Sequence, residues 1–300
     1  MDFLSSFSAQ QHLLPPVIFL AMLAVGMELR VEQFRALFSN PRVPLFGTVI
    51  HSLTFPALAV SAIVLVQLAG ISLTESIVIG VLLIAACPSG GFSNVLTMMA
   101  RANLPLSIVL TAVSSMLSFV TVPVLLGGFG VFVSAFEGPV ELPIDQILVQ
   151  LGGLILLPVL LGMWLSHSLS GLTSERITKL QSVTQMLLYL TVGLMILESW
   201  DIMVSGFLDA LPWSAGLCVS NIAVCFGLSR SVGLTNEDAI TVALEGSIRN
   251  LGVAFLIAAN TLDRMDIAVL PTVYFLSVLV LSILFAKNWR RIPGMQATRT

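Results

Sequence analysis

Polar side chains that could do chemistry are concentrated in two short stretches of otherwise apolar sequence, residues 87–111 and 243–255. The first reads CPSGGFSNVLTMMARANLPLSIVLT and the second reads ALEGSIRNLGVAF. Glu245 is the strongest single candidate for a functional residue. A carboxylate inside a membrane carries a large free-energy cost and therefore marks a functional site by default. A loop position outside the membrane is a weak alternative, since apolar sequence continues for about ten residues beyond Asn250, half a membrane span.

The same two stretches are expected to break the helices that carry them. Pro88 removes a backbone donor, and Gly90 and Gly91 lower helix propensity, so a helix should break near residues 88–92. Lipid offers no partners for freed backbone groups, so broken helices at membrane depth lie buried in protein or line a cavity. Two such helices in corresponding places of two halves are typical of the binding site of a secondary transporter.

The composition is that of an all-α polytopic membrane protein. Hydrophobic residues make up 57% of the chain, charged residues only 10%, and the mean hydropathy is +1.01, whereas soluble domains carry about 25% charged residues. With a span of about 20 residues per helix, the sequence predicts about nine transmembrane helices, at residues 13–29, 43–68, 73–100, 104–133, 144–168, 180–199, 206–230, 236–261 and 266–287.

The positions of Lys and Arg predict the orientation of these helices. If the chain crosses nine times, most basic residues fall on one side, namely Arg30, Arg35, Arg42, Arg101, Arg176, Lys179, Arg230, Lys287, Arg290, Arg291 and Arg299. The other side has one basic residue, Arg264, among the acidic residues Glu137, Glu141, Asp145, Glu198, Asp201, Asp263 and Asp266. This partition predicts a multi-pass protein of the inner (plasma) membrane, with its N-terminus outside and its C-terminus in the cytoplasm.

Helices two to four and seven to nine have the same outline, a plain helix, a broken helix and a plain helix. The first triplet enters the membrane from the cytoplasm at residue 43 and the second enters from outside at residue 206. The two triplets are therefore expected to be inverted repeats, an arrangement that lets a central site face either side of the membrane.

The segments GMELRVEQFRALFSNPRV, CPSGGFSNVLTMMARANLPLSIVLTAVSSMLS and EGSIRNLGVA resemble the bile acid:sodium symporter family, in order and spacing, over nearly the whole chain. The resemblance implies one transporter domain over residues 1–300, with a core at about 43–133 and 206–287 and a panel at about 13–29 and 144–199. In this family the two broken helices of the core cross near its middle. Bacterial members commonly have ten helices, and this chain is expected to be a bacterial member with nine that lacks the first.

The resemblance also implies a sodium site, formed by Ser93, Asn94, Ser107, Thr111 and Glu245. Hydroxyl, amide and carboxylate oxygens are ligands that suit a hard cation. Ser107 and Thr111 lie four residues apart, which places both hydroxyls on one face of a helix. The alternative for these hydroxyls is a bond to the backbone or to a neighbouring helix.

The family's second sodium site is altered in this sequence, because His51 and Arg249 stand where the family pattern has glutamine. Arg stays protonated, so we infer that its guanidinium replaces the second sodium ion and that one sodium remains. Arg249 would instead pair with Glu245 if the turn between them is helical, and coupling would then use no sodium. His51 is either a proton carrier that titrates near neutral pH or a hydrogen-bonded packing residue.

A small organic anion is the expected substrate, since half-helix N-termini suit a carboxylate and Arg249 would add positive charge. Candidate substrate-binding residues are Gly91, Phe92, Asn94 and Asn250, and the two Asn residues are expected to exchange bonds across the crossing. Gly91 stands where a bacterial relative has a binding Thr. Tyr274 and Phe275 are further aromatic candidates for the pocket wall.

These expectations describe a symporter that works by alternating access. Proton-coupled or sodium-independent transport and a membrane sensor without transport remain as alternatives. We expect no enzyme, because the sequence holds no HExxH, no GxSxG and no pair of membrane-embedded Asp residues. The expected partners are a small organic anion and the lipid bilayer, with sodium as the only metal and no nucleic acid.

Overall fold

The computed structural model describes residues 12–28, 41–137, 143–168 and 173–291. Within these ranges the chain is helical and forms no strand, which confirms the predicted all-α class. Some residues used above to predict helices and orientation lie outside the described residues, namely residue 29, Arg30, Arg35, Glu141 and Arg299.

The helices follow one another along the chain with short connections. The first part contains α1 (Leu14–Glu28), α2 (Arg42–Leu68), α3 (Glu75–Ala86), α4 (Phe92–Ala100) and α5 (Leu104–Glu137). The middle contains α6 (Ile144–Leu151), a π-helical turn (Gly152–Leu156), α7 (Leu157–Ser168) and α8 (Ser174–Glu198). The last part contains α9 (Trp200–Ser231), α10 (Asn236–Ser247), α11 (Leu251–Phe255), a second π-helical turn (Leu256–Thr261), α12 (Met265–Asn288) and a 3-10 turn (Trp289–Arg291).

The length and apolar composition of these helices are those of a multi-pass membrane protein. In the part of the chain that the structure describes, six segments could cross a bilayer by these criteria, namely Arg42–Leu68, Leu104–Gly130, Ile144–Ser168, Glu175–Glu198, Trp200–Ser231 and Met265–Arg291. Three further apolar helices are shorter, namely Leu14–Glu28, Glu75–Ala86 and Leu251–Thr261.

Two helices begin earlier than the sequence predicted. α8 begins at Ser174 rather than at 180, and α9 begins at Trp200 rather than at 206. A search for apolar spans stops at charged residues, although the acids in these first turns, Glu175 and Asp201, suit the N-terminal end of a helix. At α8, Thr173 caps this polar extension by accepting a hydrogen bond from the backbone N–H of Arg176 at 3.4 Å.

Both predicted interruptions are true breaks in the helical backbone. α3 ends at Ala86 and α4 begins at Phe92, which agrees with the predicted break near 88–92. Cys87 takes an extended conformation (ψ 144°), as expected for a residue that precedes proline. In the second stretch, α10 ends at Ser247 and Ile248 is extended (ψ 108°).

The two breaks run antiparallel to each other and satisfy each other's backbone. The N–H of Gly90 donates to the carbonyl of Ile248 at 3.0 Å, and the N–H of Asn250 donates to the carbonyl of Pro88 at 2.9 Å. An isolated antiparallel bridge joins Ser89 to Arg249 between these two bonds. The backbone groups that the helices give up are therefore paired inside the protein, as the membrane requires.

The remaining helices pack in two groups. α1 packs mainly against α7 and α8, while α2, α9, α10 and α12 pack against one another. The backbones of α1 and α7 touch at Gly26 and Gly162. A Cβ at Gly26 would lie 2.1 Å from the carbonyl oxygen of Val159, and a Cβ at Gly162 would lie 2.2 Å from that of Leu23. This contact requires glycine on both helices.

Candidate functional site

A buried cluster of oxygen atoms surrounds the carboxylate of Glu245, where α10 meets α4 and α5. The Glu245 side chain is fully buried. The hydroxyl of Thr111 lies 3.0 Å from both carboxylate oxygens, and the hydroxyl of Ser107 donates to one of them. Ser93 of α4 extends the cluster, since its hydroxyl lies 3.2 Å from that of Thr111.

Asn94 completes the cluster from the same turn of α4. Its side-chain oxygen lies 2.8 Å from the Ser107 hydroxyl, so all five predicted sodium-site residues are close together. The three hydroxyls of Ser93, Ser107 and Thr111 supply one hydrogen each. The cluster has more close oxygen–oxygen contacts than hydrogens to fill them. The Ser107 hydroxyl contacts both Asn94 and Glu245, and the Ser93 hydroxyl contacts both Thr111 and the carbonyl of Gly90. Excess oxygen lone pairs fit a hard cation such as sodium.

Arg249 does not pair with Glu245. The guanidinium of Arg249 bonds to the backbone carbonyls of Cys87 and His51 instead. Arg249 and Glu245 are four positions apart, but the helix ends at Ser247 and Ile248 is extended, so the i, i+4 spacing of a helix does not apply. The pairing that the sequence left open is therefore absent from this structure.

The guanidinium of Arg249 instead bonds to backbone carbonyls at the crossing. Nη1 donates to the carbonyl oxygen of Cys87 at 3.0 Å and Nη2 donates to that of His51 at 3.1 Å. The ring of Phe55 lies beneath it, with 4.7 Å between the guanidinium carbon and the ring centroid, a cation–π distance. Arg249 thus holds a fixed positive charge between α2 and the break after α3.

The imidazole of His51 lies next to this cation and is fully buried. Within the described part of the chain, neither ring nitrogen has a hydrogen-bond partner. His51 is therefore not a hydrogen-bonded packing residue here. It contributes its backbone carbonyl to Arg249, while its side chain is a polar group without a partner in a buried place.

A cavity of about 570 Å³ lies between α4 and α5 on one side and α8 on the other, within the size range of ligand pockets. Its wall on α8 carries the polar side chains Thr178, Gln181, Ser182, Gln185 and Tyr189, and Glu28 at the end of α1 adds a carboxylate. Its wall on α4 and α5 is mostly apolar, with Phe92, Val95, Met98, Leu104 and Ile108.

Three of the four candidate substrate residues, Gly91, Phe92 and Asn94, line this cavity. Asn250 does not line it; its side-chain oxygen accepts a hydrogen bond from the N–H of Val253 at 3.3 Å and caps α11. The expected bond between Asn94 and Asn250 is also wrong, because Asn94 bonds Ser107 and the crossing is joined through the backbone. Asn94 is the residue shared by the oxygen cluster and the cavity.

The two aromatic candidates on α12 serve packing and the break rather than the cavity wall. Tyr274 is buried and its hydroxyl donates to the carbonyl oxygen of Ser247 at 2.7 Å, which satisfies the end of α10. Phe275 packs against Tyr189, with 5.1 Å between ring centroids.

Sequence reasoning missed two groups of residues. Ser114 accepts a hydrogen bond from the N–H of Ser89 at 3.0 Å; its signal was its position three residues after Thr111, on the same helical face. The polar wall of α8 was also missed. Its signal was the helical spacing of Thr178, Gln181, Gln185 and Tyr189 within an otherwise apolar span.

Comparison with known proteins identifies the family. Residues 15–206 match the model of the sodium bile acid symporter family, which is well over half of the chain. A rice protein named as a probable chloroplastic sodium/metabolite cotransporter is 24% identical over 91% of this chain and 64% of its own length. The mouse ileal sodium/bile acid cotransporter is 24% identical over 87% of this chain and 74% of its own length.

A Bacillus subtilis protein described as an uncharacterized sodium-dependent transporter is 30% identical, over 35% of this chain and 31% of its own length. The chain thus spans less than two thirds of the rice and Bacillus proteins. The family consists of sodium-coupled membrane transporters rather than enzymes, in agreement with the expectation from the sequence. Since the family match begins in α1 and runs into α9 through the first break and the residues of the oxygen cluster on α4 and α5, the chain belongs to the sodium bile acid symporter family.

Proposed function

We propose that this chain is a symporter that carries a small organic anion together with one sodium ion. The observation that carries the proposal is the buried carboxylate of Glu245 among the oxygens of Ser93, Asn94, Ser107 and Thr111. An isolated carboxylate is costly in a membrane interior, and a bound cation offsets its charge. The sodium ion would be held by these oxygens as cargo.

Arg249 supports a single sodium ion rather than two. Its guanidinium already supplies a positive charge and donors to the carbonyls of Cys87 and His51. A sodium ion that took the same carbonyls would meet a cation that keeps its proton. We infer that Arg249 provides permanently the positive charge that a second sodium ion would provide only while bound. Transport would then be coupled to one sodium ion instead of two.

The architecture that we propose for transport has nine crossings, made of the six long spans, α1 and the two broken helices. In the first triplet, a broken helix made of α3 and α4 lies between the long helices α2 and α5. In the second, a broken helix made of α10 and α11 lies between α9 and α12. This shared order supports inverted repeats. The packing of α1 against α7 and α8 supports a panel at about 13–29 and 144–199 beside a core at about 43–133 and 206–287. Alternating access would then be movement of the core against the panel.

We propose the plasma membrane as the location, with the C-terminus in the cytoplasm. Arg264, the one basic residue of the outer loops, supports this orientation, because it pairs with Asp266 at 2.7 Å and with Glu75 at 3.3 Å. Its charge is therefore balanced by local acids and contributes little to the positive-inside rule. The basic residues that follow α4 and α12, such as Arg101 and Arg290, lie at the proposed cytoplasmic ends.

Asn94 supports the coupling of ion and substrate, because it belongs to both the oxygen cluster and the cavity. An ion that orders Asn94 would prepare the cavity wall for the substrate, and the substrate would in turn favour the ion. The substrate class rests on the relatives, whose names give bile acid for the mouse protein and metabolite for the rice protein.

Uptake into proteoliposomes tests the proposal. Purified protein would be offered pyruvate, pantoate or taurocholate with an inward gradient of sodium, potassium or choline. We expect saturable uptake of at least one acid that requires sodium. Binding without uptake would indicate a sensor, and uptake that follows a pH gradient without sodium would indicate a proton-coupled carrier. The buried carboxylate of Glu245, which a proton would neutralise as well as a sodium ion, is the observation that favours the latter alternative.

A further inference from the structure

Glu28 of α1, with Gln181 and Gln185 of α8, gives the cavity a polar wall, and its described lining residues supply no cationic partner for the substrate. Among its described lining residues there is no Lys, Arg or His, and the single charged residue is the carboxylate of Glu28. Arg249 lies elsewhere, bonded to the carbonyls of Cys87 and His51. The described side chains that line the cavity therefore carry a net negative charge, although the proposed substrate is an anion.

The amide side chains connect Glu28 to the break in the core. The side chain of Gln181 lies next to the carboxylate of Glu28, and the side chain of Gln185 lies next to the hydroxyl of Tyr189. Both amides face Gly91, because a Cβ at that position would lie 3.4 Å from Oε1 of Gln185 and 3.6 Å from Nε2 of Gln181. A substrate beside Gly91 thus meets amide groups first and a carboxylate next to them.

The opposite wall is mostly apolar, so the cavity favours an amphipathic occupant. Polar positions of α8 from Thr178 to Tyr189 extend over about 16 Å of helix, which is longer than a two- or three-carbon acid. An ionised carboxylate only accepts hydrogen bonds. The substrate group that meets Glu28 must therefore be a donor, and a second carboxylate there would be repelled.

We propose that Glu28, with Gln181 and Gln185, selects organic acids that also carry a neutral O–H or N–H donor over acids that have no donor or that have a second carboxylate. The inference rests on the proposed function, since it names the substrate class of the same cavity. Gln181 and Gln185 supply amide N–H groups to the single carboxylate of the substrate, and Glu28 accepts a hydrogen bond from its hydroxyl or amide.

A matched series of acids tests this selection by thermal shift and by sodium-dependent binding: phenylpropionate, para-hydroxyphenylpropionate and para-carboxyphenylpropionate. The hydroxylated acid should bind about tenfold tighter than phenylpropionate, as for a hydrogen bond to a charged group, and the dianion should bind weakest. In Glu28→Gln this ranking should collapse to within about threefold, because the amide both donates and accepts. Glu175→Gln removes the same charge from an exposed site outside this cavity and should keep the ranking.

Gln185→Glu provides a second variant in case Glu28→Gln does not fold, since it adds a carboxylate to the same wall and should weaken the dianion further. Equal binding of the three acids to the wild type, preference for the dianion, or an unchanged ranking in Glu28→Gln would overturn the inference. So would failure of all three acids to bind. Stabilisation by sodium alone, measured without any acid, tests the proposed function separately and stands whichever acid is preferred.

Discussion

Arg249 donates a hydrogen bond to the backbone carbonyl of Cys87 at 3.0 Å, across the point where the two broken helices cross. This bond joins a fixed cation of one break to a carbonyl that the other break has left without a helical partner. The Arg249 side chain thus supplies both the positive charge and a hydrogen-bond donor for this carbonyl, although Arg249 and Cys87 are 162 residues apart in sequence. The ion dependence of the protein should follow from this relationship.

Replacement of Arg249 by Gln should create a second requirement for sodium. The carbonyls of Cys87 and His51 would lose charged donors, and the variant should lose about 1–3 kcal/mol of stability in potassium. Sodium should restore much of this loss by occupying the place of the guanidinium. Thermal melts in sodium and in potassium measure both effects, with Arg249→Gln alone and combined with His51→Gln.

Arg264→Gln is the control for this experiment, because Arg264 makes exposed ion pairs with Glu75 and Asp266. It should change stability by less than about 1 kcal/mol and should not alter the sodium response. A variant at Arg249 that melts identically in sodium and potassium would contradict the replacement of an ion by the guanidinium.

Glu245→Gln should remove the sodium response of the protein. The variant keeps the shape of the side chain but loses the negative charge that Ser107 and Thr111 surround. Sodium affinity should fall at least about tenfold, equivalent to ~1.4 kcal/mol, as read from the sodium concentration that gives half of the thermal stabilisation. Glu237→Gln, in the first turn of the same helix, should leave this concentration unchanged. A Glu245→Gln protein with wild-type sodium affinity would place the ion elsewhere.

Gly26→Val and Gly162→Val should each destabilise the contact between α1 and α7. A Cβ at either position would overlap a backbone carbonyl at about 2 Å, which requires the helices to separate and costs about 1–3 kcal/mol or more. Gly193→Val is the matched control, since no atom lies within 4 Å of a Cβ there. Thermal stability in detergent compares the three; equal stability of Gly26→Val and Gly193→Val would rule out close contact of the two backbones.

Gly91→Leu should weaken binding of the substrate without unfolding the protein. Its Cβ would meet Gln185 and Gln181 at ordinary contact distances, so that the larger side chain extends into the cavity. We expect at least about a tenfold loss of affinity for any transported acid, with a melting temperature close to that of the wild type. Gly127→Leu, which has open space around its Cβ, is the control. Unchanged affinity in Gly91→Leu would mean that the substrate binds outside this cavity.

Local sequence signals were sufficient to predict the breaks, whereas the set of residues in the oxygen cluster was predicted from the resemblance to the family. Pro88 and Gly90 predicted where the first helix ends, and the spacing of Ser107 and Thr111 predicted that their hydroxyls share one helix face. These signals act within a few residues, where propensity and helical geometry decide the outcome.

The contacts that the sequence did not predict join distant parts of the chain. The bridge between Ser89 and Arg249 depends on how two breaks meet in space, so neither stretch predicts it alone. The direction of Arg249 depends on the extended backbone at Ile248. This backbone rules out the helical pair with Glu245 that the sequence left open, and the guanidinium bonds to the carbonyls of Cys87 and His51 instead. The role of Glu28 likewise depends on the packing of α1 against α8.

The most direct test of the central claim is the number of sodium ions that each chain binds, measured by equilibrium dialysis with radioactive sodium on purified protein. One sodium ion per wild-type chain, rising to two in Arg249→Gln plus His51→Gln and falling to none in Glu245→Gln, is the predicted result. Two ions bound to the wild type would contradict the replacement of an ion by Arg249. No sodium bound to the wild type, with binding of the acid dependent on pH alone, would contradict sodium coupling through Glu245.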